Sequence, residues 1–283
     1  MRDHLGDYSK SMMCRAMNVS RSGFNKWLNR SESRSAQRKR CYTEKVLATY
    51  EAFDAIYGAP RITQELNASG LSCSENYVAK ILQEQGIKAR NGKGFKYSRH
   101  SLTMNNVSEN VLWRDFKADK PNRKWTSDIT YIWVAKRWWY LATVMDLFSR
   151  KIIGWHLSES MDESLIEAAL NMAVARRNAQ PGLIVHSDRG VQYRSQKYID
   201  RLHALGCRIS MSRKGNCWDN APMESFYARL KVELIYANRF DTIEGLRTAL
   251  FRYIEVFYNR KRRHSANNGL SPVVYEESAA LAA

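Results

Sequence analysis

The sequence lacks several features that would assign its class at once. Its five cysteines are scattered, without a Cys-x-x-Cys pair or a nearby pair of histidines. This argues against a structural zinc site and predicts reduced thiols in a cytoplasmic protein. No long apolar run free of charge is present, so no transmembrane helix is predicted, and the N-terminus MRDHLGDYSK does not resemble a signal peptide.

Acidic residues are scarce relative to basic ones. The 283 residues include 45 lysines and arginines but only 28 aspartates and glutamates, which gives a formal net charge of +17. A surface this basic favours a polyanionic partner, and nucleic acid is the leading candidate. A ribosome-type or membrane-surface basic protein is the alternative. The apolar content of 44% is sufficient for one large domain or several smaller ones.

The first helical signal lies in SKSMMCRAMNVSRSGFNKWLNR. A short helix, an Asn-Val-Ser break and a second helix capped by Ser20 predict a helix-turn-helix unit over residues 1–37. We expect Phe24, Trp27 and Leu28 to pack behind the second helix, which leaves its other face for DNA. The predicted DNA contacts on that face are Arg21, Asn25 and Lys26. A solvated amphipathic helix would show the same pattern.

A second helix-turn-helix module is predicted over residues 38–92. After the basic connector SRSAQRKR, the periodicity of EKVLATYEAF predicts a helix that ends before Gly58 and Pro60. Ser72 and Glu75 have the spacing of a capping box, which predicts that a further helix begins there.

The stretch IKARNGKGFKYSRH follows this module and contains no acidic residue. It predicts a basic linker over residues 93–120, in which Lys93 and Lys96 contact DNA phosphates. A linker that is merely solvated is the alternative.

The periodicity changes from Trp125 onward. The runs KWTSDITYIWV, RWWYLATVMDLFS and KIIGWHLSES predict three antiparallel strands. The segments that follow alternate helix, strand, helix and strand before a last helix, an order typical of few folds. One of them is the α/β ribonuclease H-like fold, a five-stranded mixed sheet with flanking helices. We predict this core over residues 121–235, preceded by the all-α helix-turn-helix modules and followed by a helical, basic segment over 236–283.

Three acidic residues stand out in this core: Asp128 inside the first strand, Asp188 at the end of the fourth, and Glu224 near a helix start. Taken alone, Asp188 in HSDRG is most simply a turn former. Asp128 is harder to explain, because burying an unpaired charge in an apolar strand is unfavourable. Two carboxylates 4 Å apart repel by about 4 kcal/mol at an effective dielectric constant near 20.

A hard divalent cation with oxygen ligands would relieve this repulsion, and Mg²⁺ suits a site that also holds water and phosphate. We therefore predict that Asp128, Asp188 and Glu224 are catalytic metal ligands. Two ions at such a site could bind the attacking and leaving oxygens of a phosphodiester displacement.

The spacing of these acids leads to a family. Asp188 and Glu224 are separated by the 35 residues 189–223, and Lys231 lies seven residues after Glu224. Together with WTSDIT, HSDRG, GNCWDNAPMESF and YNRKRRHSANNGLSP, this spacing closely resembles the OrfB-type transposases of the IS-three family of bacterial insertion sequences, relatives of retroviral integrases. The resemblance covers almost the whole chain. It implies an integrase-type catalytic core that binds two Mg²⁺ ions, with Mn²⁺ as a substitute, cuts DNA at transposon ends and joins the freed 3′-hydroxyl to another phosphodiester.

The resemblance also implies partners. The expected partner is double-stranded DNA, both transposon ends and target, in a bacterial cytoplasm and associated with the nucleoid. Coordinated joining of two ends suggests at least a homodimer on DNA. In this family the active enzyme is often a frameshifted fusion whose upstream frame adds end-binding and leucine-zipper segments. This chain shows no zipper pattern, so the upstream-frame product is a further expected partner.

Lys231 would, by the same resemblance, hold a DNA phosphate near the active site, whereas pairing with Glu224 or Glu233 is the alternative. Trp218 and Asn220 precede the catalytic helix and are predicted to contact DNA, by stacking on an unpaired base in the case of the tryptophan. A hydrophobic lid is the alternative for this loop.

The basic tail NRKRRH adds Arg260, Arg262 and Arg263 as predicted DNA contacts, although cations at a helix C-terminus also favour the helix dipole. We expect Asp146 to make a turn contact rather than bind metal, and His186 to be hydrogen-bonded at the edge of the core. Two rival functions remain: a structure-specific nuclease, which would hydrolyse DNA without joining it, and a non-catalytic DNA-binding regulator, against which the intact acid triad argues.

Overall fold

The computed structural model describes residues 1–90 and 107–282, which form two compact units, Met1–Ile87 and Lys88–Ala283. The predicted DNA contacts Lys93 and Lys96 lie outside the described residues. Within the described ranges, no helix has the combination of length and apolar character needed to cross a membrane.

The N-terminal unit is helical, and serines mark where most of its helices begin. The helices are α1 (Lys10–Ala16), α2 (Arg21–Leu28), α3 (Arg34–Ala52), α4 (Ala59–Ala68) and α5 (Glu75–Glu84). The side chains of Ser9, Ser20, Ser33 and Ser74 each accept a backbone N–H in the first turn of the following helix. Such caps satisfy amides that have no partner within the helix. The predicted cap at Ser20 and the helix pair around it are confirmed.

One prediction about helix boundaries in this unit is wrong. The stretch SRSAQRKR is not a connector, because α3 begins at Arg34 and includes most of it. A segment boundary at residue 38 would therefore fall inside a helix. The predicted end of this helix before Gly58 and Pro60 is confirmed, since α3 ends at Ala52. Pro60 lies in the first turn of α4, where its missing N–H costs nothing.

The predicted capping box is also displaced. The cap of α5 is Ser74, whose Oγ accepts the backbone N–H of Tyr77 at 3.3 Å. Ser72 instead uses its backbone carbonyl to accept the Tyr42 hydroxyl at 2.8 Å, which ties the start of this segment to α3.

The second unit is built on the predicted five-stranded mixed sheet, which is confirmed. Its strands are β1 (Lys124–Val134), β2 (Arg137–Asp146), β3 (Lys151–Ser158), β4 (Ile184–Ser187) and β5 (Arg208–Met211). They lie in the order β3-β2-β1-β4-β5. The first three strands are antiparallel neighbours, whereas β4 is parallel to β1 and β5 is parallel to β4.

Helices cover both faces of the sheet. They are α6 (Glu163–Arg176), α7 (Gln196–Ala204), α8 (Ala221–Leu230), α9 (Ile243–Phe251) and α10 (Pro272–Leu281). Two π-helical segments, Lys231–Ile235 and Arg252–Tyr258, continue α8 and α9. One core cluster joins the sheet to α8 and α9, and a second joins it to α6 and α7.

Gly154 on β3 shows how closely α6 packs on the sheet. A Cβ atom there would lie 2.1 Å from the backbone oxygen of Ala169. Only glycine allows this approach of helix backbone to strand.

The pairing of β1 creates an opening beside the sheet. In the described chain, β4 pairs with β1 only along Lys124–Thr126 and ends at Ser187. Strand β1 continues to Val134 with β2 on its other side. The edge of β1 beyond Thr126 is therefore next to the point where β4 turns away, and Asp128 lies at this opening.

Candidate active site

Three carboxylates converge where β4 ends. Thr126 of β1 is paired with His186 of β4 in a parallel register, and extending this register by two residues brings Asp188 beside Asp128. Glu224 lies in the first turn of α8, and its charge acts on Asp128. The fold therefore brings the three predicted acids into one neighbourhood.

Asp128 is in an unfavourable environment for a negative charge. It is 6% exposed. Burial, followed by the charge of Asp188, raises the pKa of Asp128 well above its usual value, and Glu224 contributes in the same direction. The backbone N–H of Ile129, at 2.9 Å from Oδ1, and the charge of Lys231 oppose this shift.

Asp188 serves two purposes. Burial raises its pKa, and the N–H of Gly190 and the charge of Arg194 act against the shift. Its Oδ1 accepts the Gly190 N–H at 2.8 Å, which is the turn contact expected from the sequence. The carboxylate thus forms the turn and also faces Asp128.

The three acids are neighbours, but their side chains are not arranged to bind one metal ion together. Among residues 1–90 and 107–282, no three acidic, histidine or cysteine side chains are placed to hold a metal ion as they stand. Two adjacent buried carboxylates with raised pKa values nevertheless form a site that a hard cation would stabilise. The donor set, all carboxylate oxygens, suits Mg²⁺ or Mn²⁺ rather than a softer metal.

Two neutral side chains fasten α8 to β1 on either side of Glu224. Asn220 Oδ1 accepts the Thr126 hydroxyl at 2.6 Å, and its Nδ2 donates to the Ser127 carbonyl at 3.3 Å. The Tyr227 hydroxyl donates to the backbone carbonyl of Asp128 at 2.5 Å.

These bonds hold the start of α8 at a fixed place beside Asp128. Neither role was predicted, and Asn220 was expected to contact DNA. Its side chain is 5% exposed and engaged on both polar atoms. In this position it cannot reach a DNA strand, which corrects that prediction.

Asp219 anchors the loop before α8. It is fully buried and accepts hydrogen bonds from Asn110 Nδ2, Arg114 Nε and three nitrogens of Arg213, at 2.7–3.0 Å. The Arg213 guanidinium also lies 5.3 Å from the centre of the Trp113 ring, within range of a cation–π contact.

Lys231 is a buried cation near the carboxylates. It is 6% exposed, and burial lowers its pKa while the charge of Asp128 opposes the change. Of the two alternative partners expected for Lys231, Glu224 and Glu233, the second is bound by Arg262 at 2.6 Å and by the Tyr253 hydroxyl at 2.7 Å. Lys231 begins the π-helical segment after α8, a geometry frequent at functional sites.

His186 and Asp146 are structural, as expected. His186 is fully buried, and its ring nitrogens lie 2.8 Å and 3.1 Å from the hydroxyls of Ser210 and Ser212. Burial lowers its pKa to about 4. Asp146 accepts the backbone N–H of Phe148 at 3.0 Å, the predicted turn contact.

Comparison with known proteins identifies the family of the chain. An HTH-like domain family matches residues 37–94, and two integrase core domain families match residues 118–217 and 224–279. The chain is 44% identical over 279 residues to transposase InsF for insertion sequence IS3A of Escherichia coli K12, with 96% of each chain covered. The chain belongs to the IS3-type insertion-sequence transposases. A transposase for insertion sequence element IS904 of Lactococcus lactis is 39% identical, and the matched region spans 88% of this chain and 99% of that transposase.

Solved integrases share lower similarity with this transposase. One is the simian T-cell lymphotropic virus intasome in complex with the PP2A regulatory subunit B56 gamma, with a TM-score of 0.47 and 15% identity over 78% of this chain and 70% of that chain. Another is the HTLV-2 integrase catalytic core domain in complex with magnesium, with a TM-score of 0.43 and 15% identity over 56% and 98%.

The C-terminal arginines of the transposase fall into different environments. Arg260 is exposed, whereas Arg263 is half-buried and donates to the Gly269 carbonyl at 3.0 Å. Arg262 is 3% exposed and forms a two-pronged ion pair with Glu233. Its predicted DNA contact is corrected to a structural one, since a buried, paired guanidinium cannot reach DNA without breaking that pair.

The helix α2 of the transposase departs from the expected packing. Phe24 is buried, but Trp27 is 56% exposed and stacks on Phe24 at 5.8 Å, and Leu28 is half-buried. The prediction that all three pack behind the helix is therefore wrong for Trp27. Arg21 and Lys26 are exposed.

Trp218 is 68% exposed, in the 3₁₀ turn Cys217–Asn220. Asn25 is half-buried. Of the side chains predicted to contact DNA within the described ranges, the exposed ones are thus Arg21, Lys26, Trp218 and Arg260.

Proposed function

We propose that Asp128, Asp188 and Glu224 are the metal-binding carboxylates with which this transposase cuts and joins DNA. The observation that carries the proposal is the pair of adjacent acids at the end of β4, with raised pKa values and a third acid on α8 within electrostatic range. A fold does not keep such a cluster for stability, because like charges in a buried site oppose folding.

The carboxylates would hold Mg²⁺, or Mn²⁺ in its place, as two ions. Bound there, the metal would stabilise the negative charge that develops on the attacking and leaving oxygens of a phosphodiester displacement. Asp128 and Asp188 supply the fixed side of the site, since one lies within a strand and the other is held by the Gly190 amide. Glu224 completes it by a change of rotamer, while Asn220 and Tyr227 keep its helix in place.

The rest of the chain would deliver DNA to this site. Lys231, whose charge interacts with that of Asp128, binds a phosphate beside the carboxylates. Trp218 stacks on an unpaired base, and Arg260 binds the DNA backbone. On the N-terminal unit, Arg21 and Lys26 contact the transposon end, and Asn25 does so only if its half-buried amide turns outward.

The active assembly that we propose has at least two copies of the chain on DNA, because two transposon ends must be joined in a coordinated reaction. The upstream-frame product is a proposed further partner, as the described residues lack a zipper. The place of action is the bacterial nucleoid. In the reaction, water attacks first and the freed 3′-hydroxyl second, without a covalent bond between protein and DNA.

The test is the substitution Asp188→Asn in the full chain. Asparagine preserves the size of the side chain but removes a negative oxygen ligand. We expect binding of transposon-end DNA to be unchanged and Mg²⁺-dependent cleavage and joining to be lost, as measured with end-labelled DNA on denaturing gels. The matched control is Asp241→Asn, at an exposed position outside the site.

Joining of DNA ends by the Asp188→Asn protein would refute the assignment. The same gels separate transposase from nuclease, since a structure-specific nuclease would give cleaved strands without joined products in the wild-type protein.

A further inference from the structure

The outer face of the β1–β2 hairpin carries aromatic side chains where a solvent-facing antiparallel hairpin ordinarily carries polar ones. Tyr131 is paired across the strands with Tyr140, and Trp133 with Trp138. Tyr131, Trp133 and Trp138 are 48%, 54% and 53% exposed. The alternating residues of the same strands belong to the core. We call these four residues the hairpin aromatic surface.

The four rings form one continuous surface. The ring centroids of Tyr131 and Tyr140 are 5.5 Å apart, those of Trp133 and Trp138 are 5.1 Å apart, and Tyr131 and Trp138 connect the two pairs at 6.4 Å. Cross-strand aromatic pairs stabilise a hairpin. Threonine or valine would also favour the strand without exposing three large rings to water. A contiguous exposed apolar patch marks an interaction site.

The surface begins next to the active site. Tyr131 lies three residues beyond Asp128 on β1, about 10 Å along the strand, and because side chains alternate along a strand it faces the opposite side of the sheet from Asp128. Burial raises the pKa of Tyr131, and the charges of Asp188 and Asp128 raise it further, so the phenol is within electrostatic range of both acids. Strand β4 has ended by this point, so within the described residues the edge of β1 between the two sides of the sheet is open.

Basic residues lie at the far end of the hairpin. Lys136 lies in its turn and Arg137 begins β2; both are exposed, and Arg137 approaches Glu159 only at 3.5 Å. Exposed rings flanked by cations are the composition of surfaces that bind single-stranded nucleic acid, because every base has a face that can stack and every nucleotide has a phosphate. A surface for a second protein chain would not require these cations.

We propose that the hairpin aromatic surface stacks unpaired bases of the DNA strand whose phosphodiester is held at Asp128 and Asp188. The proposal rests on the proposed function, since it needs a DNA strand at these acids. Bases next to the cutting point would leave the duplex and stack on Trp133 and Trp138, which would fix the strand for cutting and joining.

The test compares two double variants of the full chain. Trp133→Thr with Trp138→Thr removes both rings but retains strand-forming residues, whereas Trp133→Phe with Trp138→Phe retains rings. The probes are two transposon-end duplexes, one fully paired and one with three unpaired terminal bases that include 2-aminopurine. Binding is measured by anisotropy, and stacking by 2-aminopurine fluorescence, in EDTA without metal.

We expect the wild-type protein to prefer the unpaired end and to quench 2-aminopurine. The threonine variant should lose affinity for the unpaired end by at least about ten-fold, and affinity for the paired duplex should change less than two-fold. The phenylalanine variant should retain most of the preference. Equal losses for both duplexes, or a preserved preference in the threonine variant, would overturn the proposal.

Sedimentation tests the alternative that a second copy of the chain, rather than DNA, occupies the hairpin aromatic surface. If the threonine variant dissociates into monomers and retains its preference for the unpaired end, the surface joins two copies of the chain and the stacking proposal is wrong. Because these measurements need no metal, a wild-type protein that shows the preference but does not join DNA would refute only the proposed function.

A second measurement covers the case in which the threonine variant does not fold. The wild-type protein is photocrosslinked to an end that carries 5-iododeoxyuridine among its unpaired bases. A crosslink within residues 131–140 supports the proposal, and crosslinks confined to other segments contradict it.

Discussion

Asp219 is the position at which a single substitution tests the structure most directly. Its fully buried carboxylate joins the segment of Asn110 and Arg114 to the loop of Arg213, just before α8. Asp219→Asn would retain the size of the side chain. It would also remove the negative charge and place an N–H₂ group opposite donors that need an acceptor.

The cost of this change can be bounded from the exposure of its partners. Removing one member of a buried ion pair costs about 3–5 kcal/mol when the other charge is left buried. Here the side chains of Arg114 and Arg213 are 42% and 41% exposed, so water can solvate both guanidinium groups after the substitution. The loss then approaches that of hydrogen bonds to a charged group, and we expect about 2–3 kcal/mol.

The pH dependence has a defined sign. The hydrogen bond from Arg213 is the largest of the contacts that hold the pKa of Asp219 well below its usual range. Because the pKa of Asp219 is lowered in the folded state, its charged carboxylate stabilises the fold at neutral pH. This stabilisation is lost as the pH falls below the value for the unfolded chain, about 4. The stability difference between wild type and Asp219→Asn should therefore be largest at neutral pH and shrink in acid.

Urea unfolding followed by tryptophan fluorescence is the suitable assay. Of the eight tryptophans, all but Trp27 lie in the second unit, so the signal reports mainly on the unit that contains Asp219. Asp241→Asn, at an exposed position, is the control. A loss below about 0.5 kcal/mol, the range of ordinary surface substitutions, would refute the role assigned to this carboxylate.

Two further predictions concern the buried side chains of Tyr227 and Asp146. Tyr227→Phe removes the donor to the Asp128 carbonyl and should slow DNA joining more than it weakens DNA binding. The expected loss of stability is about 1–3 kcal/mol. A joining rate equal to that of wild type would contradict the positioning role. Burial raises the pKa of Asp146 to about 6, so its contribution to stability is full below about pH 4 and is lost as the pH rises through 6. Relative to Asp146→Asn, the wild-type protein should lose about 3 kcal/mol between pH 4 and pH 7 in urea titrations, and parallel pH curves for the two proteins would show that the buried charge has no such cost.

The parts of the structure that depend on local pattern could be predicted from the sequence. The strands of the sheet follow from aromatic and β-branched runs, because side chains of alternating residues must face two sides. Asp128 could be selected because a carboxylate inside such a run has no structural reason to be there. In both cases the residues that determine the structure lie within a few positions of the sequence pattern that predicts it.

The roles of Asn220 and Arg262 could not be predicted in this way. Asn220 binds Thr126, 94 positions away, and Arg262 binds Glu233, 29 positions away. Local sequence shows only a polar amide in a loop and a cation in a basic tail, and both patterns also describe DNA-binding surfaces. Which of these side chains is buried is decided by tertiary contacts.

The contacts around the acids show why the site depends on neutral hydrogen bonds. Asp128 and Asp188 repel each other in a buried place, so the folded chain must hold them together against that repulsion. Additional buried charges would have to be desolvated and would also bias the site electrostatically. Asn220 and Tyr227 fix α8 to β1 without adding charge, through the Thr126 hydroxyl and the Asp128 backbone. The lysine whose charge interacts with this cluster, Lys231, is itself buried, so the cluster is offset by one cation that is already part of the core rather than by further charges brought in from solvent.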